Sequence, residues 1–151
     1  MQPEQMDHEK LKDWFNELNV FAKEIGLEIT HIEEGYAKAK LEITPMHMNP
    51  YQTLHGGVLY TMADVAGGSA ALSHNRPVFT VDSQFHFLNA GRNVTCLYGE
   101  GKTIKAGKQL IVVEIDVTDQ DGTLLCKGTF TYMQVSEKMS GMGPFFLKNK
   151  E

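Results

Sequence analysis

The sequence has no long apolar run, only two cysteines and no excess of basic residues. Without about 20 consecutive apolar residues there is no helix to cross a bilayer, so no membrane partner is expected. Cys96 and Cys126 cannot make a disulfide framework. Both fall in strand-like segments and read as free, buried thiols. Lys and Arg number 14 against 19 Asp and Glu, a formal net charge of -5. That balance argues against general nucleic-acid binding, which needs a basic surface. It still allows a local basic cluster for a phosphorylated small ligand. The six histidines show no metal-ligand spacing with each other or with the cysteines, so no metal is expected. Repeats and low-complexity segments are also missing. The polar, acidic opening MQPEQMDHEKLKDW does not resemble a secretory signal, and a cytoplasmic protein is expected.

What is present is an ordinary globular composition, 42% hydrophobic and 22% charged over 151 residues, enough for one domain with a real core. Leu11, Phe15, Leu18 and Phe21 or Ala22 recur at helical spacing and predict an N-terminal amphipathic helix ending near Gly26. Leu27 to Glu33 reads as a strand and Glu34-Gly35 as a turn. Ala37, Ala39, Leu41 and Ile43 then alternate with charged residues, as in a half-buried strand. A loop with two prolines leads into an apolar helix from about Leu54 to Ser73. Four strand-like segments follow. In the first, Phe79, Val81, Phe85 and Phe87 share one face, expected to be core, and Thr80, Asp82, Gln84 and His86 share the other. Asp121-Gly122 marks a hairpin turn. The expected division is an N-terminal helix over 1–25, a main domain over 26–135 and a tail over 136–151. Long antiparallel strands with one apolar face need a cover, and the Leu54–Ser73 helix is the only long apolar element among them. The economical architecture is α+β, a curved antiparallel sheet wrapped around that helix.

The chemistry concentrates in NPYQTLHGGVLYTMAD. Gly56 and Gly57 fall where a helix has N–H groups without intrahelical acceptors and where its dipole favours negative charge. Either they are an oxyanion-hole donor for an ester or thioester carbonyl, or they make a tight loop-to-helix turn. His55 either orients that carbonyl or acts as a base, or it ties the loop to the helix. Asp64 lies on a helix face with Gly57, Thr61 and Gly68. It reads as a nucleophile or general base, or as part of a solvated stripe. Asn49 either holds a carbonyl or water or is an Asn-Pro turn residue. Thr80 either positions a water against the carboxylate or is a plain strand residue. Arg92, Lys102, Lys105 and Lys108 suggest a basic cluster for nucleotide phosphates, or a charged sheet edge.

Spacing constrains how these residues act together. Gly56 and Asp64 are eight positions apart, about 12 Å along a helix axis. An Asp side chain reaches roughly 3 Å, while the carbonyl sits beyond the helix end at hydrogen-bond distance. One chain cannot bring both to one carbon. If both act, the site lies at a twofold interface and each subunit supplies half.

Asn49, Leu54-His55-Gly56-Gly57 and Ala63-Asp64 resemble the hotdog-fold thioesterases of the PaaI-like group, which includes the acyl-CoA thioesterase 13 type. Thr80-Val81-Asp82, Lys105-Ala-Gly-Lys108 and the TDQDGTLLCKGTFTY hairpin continue the match, so the resemblance covers roughly Leu27 to Val135. It implies a hotdog fold, homodimers often paired as tetramers, and hydrolysis of acyl-CoA thioesters. It implies no metal and no cofactor beyond the coenzyme A of the substrate. By this resemblance Gly56, Asn49, His55, Asp64 of the partner subunit and Thr80 make the catalytic set. Gly57, Arg92, Lys105, Gly107 and Lys108 would contact coenzyme A. Two departures stand out: Gln52 where the family often has glycine, and Thr80 where serine is common. The alternatives are a hotdog-fold acyl-CoA dehydratase or hydratase, which pairs a catalytic His with an acid, and a non-catalytic acyl-CoA-binding protein.

Overall fold

The computed structural model describes residues 7–135. Strands β1 (Leu27–Glu33), β2 (Tyr36–Glu42), β3 (Val78–Phe87), β4 (Cys96–Ala106), β5 (Leu110–Thr118) and β6 (Leu124–Gln134) form one sheet in the order β1-β2-β4-β5-β6-β3. Every neighbouring pair is antiparallel. The sheet curves around the long helix α3 (Gly56–Leu72). The expected tail over 136–151 lies outside the described residues.

The alternating segments lie as their sequences predict. Ala37, Ala39 and Leu41 of β2 and Ile111, Val113, Ile115 and Val117 of β5 all face the core. The helix α3 is buried on several sides because the sheet wraps it. Its approach to β4 is set by residues without side chains. A Cβ built on Gly101 would lie 2.7 Å from the Ala66 carbonyl oxygen, and one on Gly99 would lie 2.6 Å from the Met62 sulfur. The far end of the helix is tied to the β1–β2 turn: the Gly35 N–H donates to Ser73 Oγ at 2.7 Å, with Gly35 at a φ of 77°.

Three expectations need correction. The N-terminal helix is two helices, α1 (His8–Leu18) and α2 (Val20–Ile25), ending at Gly26 in the left-handed conformation. Asn19 splits them: its N–H closes α1 on the Phe15 carbonyl, and its side chain accepts from Ala22 N–H to start α2. The central helix starts at Gly56 rather than Leu54, because Leu54 forms a bridge with Met48.

The third correction concerns β3. Its register against β6 slips between Thr80 and Asp82, a β-bulge at Val81. One inserted residue reverses the alternation. Phe85 and Phe87 therefore turn toward the helix side, where Phe85 packs on Tyr60 and Phe130. Phe79 turns outward beside its cross-strand partner Met133, and Phe79 and Val81 stay 45% and 50% exposed. They are not core.

The two sheet edges differ. On β1 the Asn16 side chain of α1 donates to the Ile29 carbonyl at 2.9 Å and accepts from the Ile29 N–H at 2.8 Å, covering the edge beside a bulge. On the far side, β3 has β6 as its one neighbour and no such cover among the described residues.

Gly101→Ala is expected to destabilise the protein by about 2 kcal/mol, since the added methyl meets backbone rather than a yielding side chain; urea denaturation measures it. Burial pushes the Cys126 thiol from its ordinary 9.0 up to about 12. A group raised in the folded state stabilises fully below its unfolded value. Stability is therefore expected to fall between pH 9 and about 12, and Cys126→Ser should flatten that part of a melting-temperature profile.

Candidate active site

The start of α3 is organised by His55. Its ring Nδ1 accepts the Gly57 N–H at 2.9 Å, and its carbonyl accepts the N–H groups of Val58 and Leu59. Of the four N–H groups that open the helix, only that of Gly56 has no acceptor among the described residues. Gly56 lies against Phe87, the last residue of β3, whose ring is 3.6 Å from where a Cβ would be. Because Nδ1 is an acceptor, the neutral His55 ring carries its proton on Nε2. The residue joins loop to helix and, among the described residues, makes no hydrogen bond to a carboxylate.

Asn49 shapes the preceding loop. Its Oδ1 accepts from the N–H groups of Tyr51 and Thr53, and its Nδ2 donates to Thr53 Oγ1 at 2.7 Å. One amide hydrogen is left over. This wrapped loop holds Gln52 at a φ of 60°. The departure from glycine at this position therefore places a side chain where glycine is favoured.

Asp64 is half-buried on α3 and faces β3 and β6. Thr80 Oγ1 donates to its Oδ1 at 2.8 Å, so Thr80 contacts the carboxylate directly. The bulge after Thr80 leaves this side chain on the inner face, opposite the hydrophobic expectation for its strand. Sequence reasoning missed Tyr132, which pairs with Thr80 across β3 and β6 and reaches Asp64 Oδ1 at 3.3 Å. Its signal was faint: a tyrosine alternating with Phe130 in an apolar strand reads as core. Tyr60 was also missed; its hydroxyl pairs with Ser83 Oγ at 2.6 Å, beside the Phe85–Phe87 pair.

The structure does not gather the basic residues into one cluster. Arg92 follows Gly91, whose carbonyl accepts the Leu54 N–H near the start of α3. Lys105 and Lys108 flank the turn at the other end of β4, where Arg76 donates to the Gly107 carbonyl. Nine residues of extended strand separate Cys96 from Lys105, about 30 Å. Lys102 pairs with Glu100 on β4 itself. Among the described residues no group of three or more His, Cys, Asp or Glu is arranged to hold a metal ion, and no helix is long and apolar enough to cross a membrane.

A six-stranded antiparallel sheet wrapped around one apolar helix defines a hotdog fold. The chain belongs to the thioesterase superfamily, whose profile matches residues 51–126. It is 32% identical over 105 residues to the 1,4-dihydroxy-2-naphthoyl-CoA hydrolase of Listeria monocytogenes, covering 68% of this chain and 85% of that one. It is 29% identical over 114 residues to the acyl-coenzyme A thioesterase PaaI of Escherichia coli, covering 72% and 81%. Among solved structures, the Escherichia coli PaaI protein superposes with a TM-score of 0.81 at 23% identity, covering 85% of this chain and 94% of that one. A Streptococcus pneumoniae thioesterase protein solved with coenzyme A superposes with a TM-score of 0.75 at 26% identity, covering 81% and 97%. The protein is a thioester hydrolase.

Gln52→Gly is expected to raise stability by about 0.5–1 kcal/mol by relieving the left-handed backbone, as read from the urea midpoint.

Proposed function

We propose that the protein is an acyl-CoA thioesterase that works as a homodimer joined through β3. In this reading Gly56 polarises the thioester carbonyl and Asp64 of the partner subunit acts as base or nucleophile. One observation carries the reading: the free Gly56 N–H and the Asp64–Thr80 pair lie at opposite ends of the same uncovered edge strand. Antiparallel pairing of β3 with its own copy about a twofold axis near Ser83 and Gln84 would bring Phe87 opposite Thr80 of the partner subunit. Gly56, beside Phe87, then meets Asp64 of the partner subunit. The half-exposed Phe79 and Val81 fit a strand that pairs with another. Such a dimer holds two equivalent sites, and the relatives' fold is compatible with further pairing into a dimer of dimers.

The chemistry follows from these atoms. Asp64 takes a proton from water, whose oxygen attacks the carbonyl carbon; in the alternative the carboxylate itself attacks and expels the thiolate, and water then hydrolyses the resulting acyl–Asp64 anhydride. The carbonyl oxygen becomes an oxyanion facing the Gly56 N–H at the positive end of α3. The carbon–sulfur bond then breaks, and the thiolate takes up a proton to leave as coenzyme A. Asn49 and His55 hold the loop and helix start, while Gly57 leaves backbone room beside the carbonyl. The Lys105–Gly107–Lys108 turn and Arg92 would meet coenzyme A phosphates from different subunits. No cofactor is needed beyond the coenzyme A of the substrate, and a cytoplasmic setting fits that substrate.

One relative supports the assignment in particular. The Streptococcus pneumoniae protein was solved with coenzyme A, and variants of it were solved with an aspartate and a threonine changed to alanine. Those two positions are 16 residues apart, the separation between Asp64 and Thr80. His55 argues against the dehydratase reading, since its Nδ1 is committed to Gly57 rather than to an acid.

Thiol release from a panel of acyl-CoAs tests the function. Asp64→Ala is expected to abolish turnover, and Gly56→Pro to lower kcat by about 100-fold or more. Proline suits this position, because it is the first of the helix and His55 already has a φ of -63° and a ψ of 132°. The variant therefore removes the N–H with little cost to the fold. Mixed dimers of Asp64→Ala and Gly56→Pro chains should regain activity, since one of their two sites is intact. Mixed dimers that form without activity would refute the shared site.

A further inference from the structure

The Asp64 carboxylate is held asymmetrically. Oδ1 receives Thr80 Oγ1 at 2.8 Å and the Tyr132 hydroxyl at 3.3 Å, while Oδ2 has no donor among the described residues. Tyr132 is almost completely buried, and among the described residues its hydroxyl has no partner other than Asp64, whose backbone carbonyl it also meets at 3.3 Å. A phenylalanine would fill this space without the cost of burying a hydroxyl, as Phe130 does two residues earlier. Room for that hydroxyl exists because position 67 is glycine: a Cβ there would overlap both the Tyr132 hydroxyl and Ile115.

We propose that Tyr132 is a positioning residue for the hydrolysis. Together with Thr80 it anchors Oδ1, so that Oδ2 is the oxygen presented to water or to the acyl carbon. This rests on the reading of Asp64 as base or nucleophile. Burial first, and then the Asp64 charge, push the Tyr132 phenol well above its ordinary value. It therefore stays protonated and serves as a donor, not as a second base. The groups around the carboxylate are few. β6 contributes Tyr132, β3 contributes Thr80, and the titratable Tyr60, one turn earlier on α3, turns its hydroxyl to Ser83. A donor to the ionised carboxylate favours that form, so removing it must move the acid limb of the rate profile upward in pH.

The test is Tyr132→Phe in the full-length chain, assayed by coenzyme A release across pH. The expected result is a kcat lowered about five- to tenfold with KM little changed, and an acid limb of kcat/KM displaced to higher pH. In an Asp64→Asn background the same change should have no further effect on residual turnover. Wild-type kcat together with an unmoved acid limb would overturn the proposal. Full turnover by Asp64→Asn alone would instead remove the reading of Asp64 on which it rests. Should Tyr132→Phe fold poorly, 3-fluorotyrosine at position 132 keeps the shape and strengthens the donor. The acid limb should then move to lower pH, and an unmoved limb would equally overturn the role.

Discussion

The close approach of α3 to the sheet is the constraint on which the rest of the molecule depends. At Gly101 there is no room for even a methyl group between β4 and the Ala66 carbonyl. At Gly67 the helix gives up its own side chain so that Tyr132 and Ile115 can reach it. These vacancies fix the depth of the helix in the sheet, and that depth decides which groups meet. A helix lifted by the radius of one methyl group would lose the hydrogen bond from Thr80 to Asp64, because such bonds weaken steeply beyond about 3.2 Å. The glycines cost helix and strand propensity locally, and they are repaid in the placement of a carboxylate.

Much of this arrangement was legible in the sequence where periodicity was unbroken. The alternation in β2 and β5, the Glu34-Gly35 turn and the helix opening at His55-Gly56-Gly57 all reflect local rules that no tertiary contact overrides. Two of the failures share a physical cause, a single residue that changes phase. Asn19 interrupts a helix whose apolar spacing runs straight through it. The bulge at Val81 turns Phe79 outward although its sequence pattern is that of a regular strand. The basic residues looked like one group because they are near in sequence. An extended strand instead carries Arg92 and Lys105 to opposite ends of the sheet.

The candidate site was legible in its parts more than in its connections. The distance between Gly56 and Asp64 followed from helix geometry, while their expected roles came from the family resemblance. That Thr80 touches the carboxylate depends on the bulge beside it, which no residue in VFTVDSQFHF announces. Tyr132 was hidden because a buried tyrosine and a buried phenylalanine look alike until the partner of the hydroxyl is known. Gln52, the departure from the family's glycine, acts on backbone conformation in a loop shaped by Asn49.

The His55 cap has a consequence for what can linger at the helix start. With the Gly57 N–H on its ring and the Val58 N–H on its carbonyl, His55 reduces the anion site of an ordinary helix N-terminus to a single N–H. Phosphate and sulfate bind such termini by engaging several N–H groups at once. A lone donor offers them little, whereas it suits one oxygen on one carbon. The carboxylate product carries two such oxygens and a full charge, yet gains no second donor here. In the proposed mechanism the cap would separate recognition of a transient oxyanion from retention of the acid that it becomes.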